Sequence, residues 1–404
     1  MRALALLSSL ALVAAAIADE PTFCWQGSLQ ELSPDHTFGK SSTGVIIPLT
    51  LKKAAGIKVG NTPLRLSYDI VSPTQITIAA KNESETSVQG VRVDVVGRSD
   101  SSVMLGDFSP GQRTELALDV PDTSKGIQIQ ISGLVLQKTF NILPAAALQI
   151  DTTPSGMIIV AAQEGIFHCN PDGTHQGWIL RTDKCYGVCA DRKSTDIFAI
   201  VSQTDLLRVT PEGQVKQKLT KSNSHFGWLA LGLRQDAQGR IYNCGEGQKV
   251  YQRLDGGDIG WRIGAEGENA NMFEVAGNGD LYYTANNGVH RIRGGTTDLF
   301  VKGESLDFGL CSNPVTCRFD PKGHLHVADS LGLNENNAKI SEFDEDGHIV
   351  RVWGRGGLTA AQDEGMWPGQ LFKPIDIAFS GDKAFVLDET SGTPYIRILV
   401  FQTF

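Results

Sequence analysis

Residues 319–330 read FDPKGHLHVADS, and within them His324, His326 and Asp329 are residue types that ligate a divalent cation. On an extended strand His324 and His326, two positions apart, point to one face. Cysteine offers a second metal chemistry, with seven residues in the chain, but the spacings Cys185–Cys189 and Cys311–Cys317 lack the paired CxxC form of a structural zinc site. No G-x-S-x-G, Walker or H-E-x-x-H motif occurs. The meaning of the histidine pair therefore depends on the elements that carry it, and on whether the pattern around it recurs.

The chain has 404 residues, 41% hydrophobic and 20% charged, an ordinary globular balance with room for two or three domains. A formal charge of −9 without any Lys/Arg cluster argues against nucleic acid as a partner, because a phosphate backbone needs a basic face. The opening MRALALLSSLALVAAAIA has an early charge at Arg2, an apolar run, and small residues at Ala16 and Ala18. It reads as a signal peptide over 1–18, since the run is shorter than the ~20 apolar residues a bilayer needs. No membrane span is expected after its removal, and a secreted or periplasmic protein starting near Asp19 is. Seven cysteines in such an oxidising compartment permit pairing without demanding it.

From about 20 to 140 the sequence alternates apolar and polar residues between turns. QITIAAKNESETSVQGVRVDVVG turns at Asn82-Glu83-Ser84-Glu85, and LGDFSPGQRTELALDV turns at Pro110-Gly111. This segment, 19–137, resembles an immunoglobulin-like β-sandwich. Asn82-Glu83-Ser84 is also a formal glycosylation sequon.

From about 144 the grammar changes. An apolar strand, a turn, a second strand, a third strand and a second turn repeat about every forty residues. The second turns are Asn170–Gly173, Thr210–Gly213, Leu254–Gly257, Ile292–Gly295 and Asp344–Gly347. The first turns begin at Thr153, Asp191, Asp236, Gly277, Asp320 and Ser380. A period of that length is that of a four-stranded propeller blade, which predicts six blades over 138–404. The sixth has room for only three strands of its own, and an open ring would expose an unpaired edge. Closure by the upstream segment KTFNIL, 138–143, is expected.

NPVTCRFDPKGHLHVADSLGLNENNAKISEFDEDGHIVRVWGRGG, followed by GQLFKPIDIAFSGDKAFVLDETSGTPYIRILVF, resembles two consecutive NHL repeats. The shared features are Pro314, the Asp320-x-x-Gly323 turn, Val327-Ala328-Asp329 and the third strand to Phe343, with Pro374, Gly381, Val386-Leu387-Asp388 and Arg397 to Phe401 in the next unit. The resemblance implies that His324 ends a turn, that His326 stands where an aromatic packs between blades, and that Asp329 closes a strand at the rim. The histidine pair then reads as structural.

Propellers bind ligands at the pore mouth, built by loops entering the inner strands and by the ends of the second strands. The candidate ligand-binding residues there are Tyr186, His225, Trp228, Asn271, Asn313, Trp367 and Lys373. The insertion 354–372, with Met366 and Trp367, leads to the same face. The expected function is a non-catalytic binding module for a protein, peptide or glycan, with no cofactor. Gluconolactonase-type propellers suggest the alternative, a hydrolase holding Ca²⁺ or another divalent cation with oxygen ligands. Glu164, Asn271, Asn313, Asp329 and Asp388 match such a set by type, although the early Glu-Gly-Pro segment of that family is missing. The amidating-lyase pattern of three zinc-bound histidines is not met, since only His225 falls near the mouth.

Overall fold

The computed structural model describes residues 40–41, 44–49, 53–96, 101–120, 127–144, 146–202, 205–220, 232–244, 249–253, 261–262, 270–285, 288–302, 314–330, 338–354, 369–390 and 396–404. Among these residues the regular elements are all β-strands, and no helix is long and apolar enough to cross a membrane. The chain divides into two units, one up to Val135 together with Thr403–Phe404, the other from Leu136 to Gln402.

In the first unit, Lys53–Lys58, Leu64–Ser72, Gln75–Asn82 and Arg113–Asp119 form one antiparallel sheet. Lys40–Ser41, Gly44–Leu49, the first part of Ile127–Asn141, Val88–Val95 and Ser102–Phe108 form the other. Side chains from both, including Leu66, Ile76, Val93 and Ile129, meet in one core. The alternation read from the sequence is the cause: every second residue of Leu64–Tyr68 is buried and the rest are half-buried. Asn82 of the sequon is itself fully buried. Its Nδ2 donates to the Thr86 carbonyl at 2.7 Å and its Oδ1 accepts from the Ser84 amide at 3.1 Å, so it anchors the turn.

The second unit is a six-bladed β-propeller. Its blades begin with the strands Ala147–Thr152, Cys185–Ala190, Leu233–Gln235, Ala270–Val275, Pro314–Phe319 and Pro374–Ser380. Among the described residues the first five blades are four-stranded antiparallel meanders. Each first strand lies against the first strand of the next blade, and that of the sixth returns to that of the first. Second strands such as Ile158–Ala162, Ile197–Val201 and Leu325–Asp329 are buried along their whole length, because blades cover both of their faces.

The sixth blade has three strands of its own, Pro374–Ser380, Lys383–Glu389 and Ile396–Thr403, and the strand beside the last of them is Ile127–Asn141. The Ile142 amide donates to the Ile396 carbonyl at 3.0 Å, so residues 136–142 supply the outer strand expected from KTFNIL. Phe140 and Ile142 pack with Phe167, Phe385 and Ile398. The chain passes from the first unit to the second within this strand.

The first turns are locked by their own side chains. In the fifth blade the Gly323 amide donates to the Asp320 carbonyl at 3.0 Å, and Asp320 Oδ1 accepts from the amides of Lys322 and His324, both at 2.9 Å. Gly323 sits at φ +91°, where a side chain would be strained. Asp236 does the same for Gln238 and Arg240 in the third blade. Among the described residues, five blades carry a bulge near the start of the first strand, which shifts register between Ala147 and Gln149, Cys185 and Gly187, Ala270 and Phe273, Pro314 and Thr316, and Pro374 and Asp376. Several of the residues beyond these bulges reach the centre of the ring.

Candidate functional site

The ring centre is filled by charge. Asp376 Oδ1 accepts from Thr316 Oγ1 at 2.7 Å and lies 3.2 Å from Arg234 Nη2, while its Oδ2 accepts from the Ile150 amide at 3.1 Å. Asp151 Oδ1 accepts from Arg318 Nη2 at 2.7 Å and its Oδ2 from the Ala190 amide at 3.0 Å. Glu274 Oε2 stands 3.4 Å from Arg234 Nε and 3.3 Å from Arg318 Nε. Gln149 adds a neutral staple, donating to the Leu233 carbonyl at 2.7 Å and accepting from the Val188 and Leu233 amides, both at 3.1 Å. Together these bonds touch all six blades. Two guanidiniums face three carboxylates, all at most 7% exposed, an arrangement stable only because each charge has oriented partners. The carboxylates hold the Arg318 guanidinium firmly protonated, above its already high value, although burial opposes it.

Where the first strands end, this plug floors a cavity of about 240 Å³. Asp151, Glu274 and Arg318 form the floor, and Arg192, Phe319 and Phe379 are among the residues around it. It lies at the end of the ring opposite the mouth expected from the sequence.

At that expected mouth, Tyr186 is half-buried with Lys184 Nζ 4.7 Å from its ring centre. Asn271 Nδ2 donates to the Pro314 carbonyl at 2.7 Å. Lys373 is exposed and donates to Glu389 Oε2 at 2.7 Å. His225, Trp228, Asn313 and Trp367 lie outside the described residues. Of the oxygen ligands proposed for a cation, Asp388 is fully buried, accepts from Arg397 Nη2 and Nε at 2.7 and 2.9 Å, and accepts from the Lys373 amide at 2.8 Å. Burial pushes its carboxyl up, against the pull of Arg397 and the amides. Asp329 holds the same place one blade earlier: it is opposite Pro314 and Lys339, as Asp388 is opposite Pro374 and Arg397. Lys339 Nζ is 3.9 Å away. Glu164 is half-buried, and its Oε2 is enclosed with no hydrogen-bond partner among the described residues.

The histidine pair has the structural role the repeat implied. His326 packs against Trp353 of its own blade and Phe379 of the next, ring centres 6.0 and 4.7 Å away. His324 Nδ1 lies 2.6 Å from Glu342 Oε1, and one ligand atom each of Asp320, His324 and Glu342 falls within 4.8 Å of the others. Arg351 Nε, 2.8 Å from Glu342 Oε2, supplies the positive charge a cation would bring. Burial alone would raise the Glu342 carboxyl, but Arg351, His326 and His324 hold it well below the usual carboxylate range. The bond to Glu342 raises the His324 imidazole.

Sequence reasoning missed the central plug. Its residues sit inside apolar strands, as in LQID, LRQD and FEV. A charged residue on a strand expected to line a pore was the signal available.

No family model and no curated protein matches the chain. Solved structures do. A gluconolactonase of Xanthomonas campestris is 14% identical over 67% of this chain and 90% of its own, with a TM-score of 0.46. An auxiliary nutrient binding protein of Bacteroides thetaiotaomicron is 13% identical over 82% and 94%, with a TM-score of 0.47. A protein of unknown function from the same organism is 12% identical over 85% and 99%, with a TM-score of 0.46.

Proposed function

We propose that the chain is a secreted binding module, an NHL-like propeller following an immunoglobulin-like sandwich. It would engage a protein, peptide or glycan where the loops enter the first strands. The observation that carries this reading is the engagement of the polar groups at that mouth. Asp388 is saturated by Arg397 and backbone amides, and the Asn271 amide is tied to the Pro314 carbonyl. An Asp388 carboxylate held in this way fixes a loop and does not fit a Ca²⁺ cage of six to eight oxygen ligands, while the bond to Pro314 engages only the nitrogen of the Asn271 amide. Tyr186 and Lys373 remain accessible to a partner.

The metal-dependent lactonase reading keeps one supporting observation, the enclosed Glu164 Oε2. Binding of the purified chain to glycan and peptide arrays tests the proposal. Saturable binding that survives a chelator and weakens about tenfold in a Tyr186→Ala, Lys373→Ala double variant supports it, a loss of about 1.4 kcal/mol. Lactone turnover that follows bound Ca²⁺ and disappears in Asp329→Asn would overturn it in favour of the hydrolase.

A further inference from the structure

The cavity at the far end of the ring has a chemistry of its own. Its volume of about 240 Å³ lies below the ~300–1,000 Å³ of pockets for drug-sized ligands, so its occupant is small. Its lining carries excess negative charge, because Asp151, Glu274 and Asp320 outnumber Arg192 and Arg318. Glu274 is only 6% exposed, yet its Oε2 contacts both guanidiniums at 3.3–3.4 Å. A well-aligned charge-assisted hydrogen bond is ~2.7–2.9 Å. That oxygen, on a carboxylate lining the cavity, keeps acceptor capacity for a further donor. Above the floor, Val275, Phe319, Pro321 and Phe379 give the wall an apolar portion. Acceptors below and hydrocarbon above suit a donor-only cation on a short apolar stem.

We infer that this cavity binds a small alkylammonium ligand, its ammonium directed at Glu274 and its chain against Phe319 and Phe379. The site is independent of the mouth at the other end of the ring.

Calorimetric titration of the full chain with 1,4-diaminobutane, and with glutarate as an anion of similar length, tests the inference. The diamine is expected to bind saturably and glutarate not at all. Arg192 is exposed at the cavity and Ala237 is an exposed lining residue, so both accept substitution without touching the plug. Removing a positive charge in Arg192→Ala should tighten the diamine about threefold, and adding one in Ala237→Lys should weaken it by a similar factor. Glu274→Gln should abolish binding, with thermal unfolding used to confirm that it folds. Absence of saturable diamine binding, or rim variants that shift affinity in the opposite sense, would overturn the assignment. So would glutarate binding weakened by Arg192→Ala.

Discussion

His324 stands in the fifth blade where its neighbours place a residue of fixed charge. At the end of the corresponding turns, Arg240 pairs with Asp236 in the third blade, Asp280 with Arg293 in the fourth and Asp196 with Arg208 in the second. Only the fifth-blade pair has a cation that titrates near neutrality. Its surroundings are Glu342, Asp320, His326 and Arg351. Because the folded imidazole is raised, its contribution is complete below about pH 6.5, the ordinary histidine value, and is lost as pH rises through the folded value. The lowered Glu342 carboxyl contributes above the ordinary carboxylate range and fails only on strong acidification. Melting temperatures followed from pH 6 to 9 should therefore fall more steeply in the wild type than in His324→Gln, by roughly 2–4 °C for about 1 kcal/mol. Parallel curves would refute the pairing. Asp388 makes the same point in the sixth blade, where it pairs with Arg397. Asp388→Ala leaves Arg397 and the amides of Phe372 and Lys373 facing a void, and denaturant unfolding should show a loss of about 3–5 kcal/mol.

The strand is the scale at which the sequence was most and least informative. Asp-x-x-Gly turns and forty-residue spacing revealed the blades, because a turn locked by its own aspartate and a left-handed glycine needs those residue types whatever surrounds it. The fifth and sixth blades were clearest, with Asp329 and Asp388 at matching positions. The central plug was not legible, since a period of two reports which face a side chain takes and not whether that face meets water or another blade's arginine. Bulges hid it further by moving Gln149, Thr316 and Asp376 out of simple alternation. Much of the candidate mouth rested on His225, Trp228, Asn313 and Trp367, beyond the described residues. The same buried strands protect thiols. Cys169, Cys185, Cys189 and Cys317 are buried and unpaired. Burial pushes the first two up to about 12 and raises the other two well above the ordinary thiol value. A thiol reagent on the native protein should leave these four unreacted and consume them only after denaturant is added; rapid labelling of any of them without denaturant would refute the packing.

At the scale of the molecule, the ring holds together through two non-local devices, the plug and the borrowed outer strand. Residues 136–142 pair with the last strand and also reach the first blade, where Lys138 Nζ meets the Asp172 carbonyl. A fragment starting at 136 should therefore fold, while one starting at 144 should expose the edge of Ile396–Thr403 and aggregate, as cooperative unfolding and light scattering would show. Folding and solubility of the shorter fragment would refute closure by the upstream strand. The bond between Ile142 and Ile396 also fixes a schedule for biosynthesis. Its first partner leaves the ribosome well before its second. Every nascent chain must then hold five nearly finished blades unsealed until Ile396 emerges, a window in which chaperones and proteases inspect an incomplete circle.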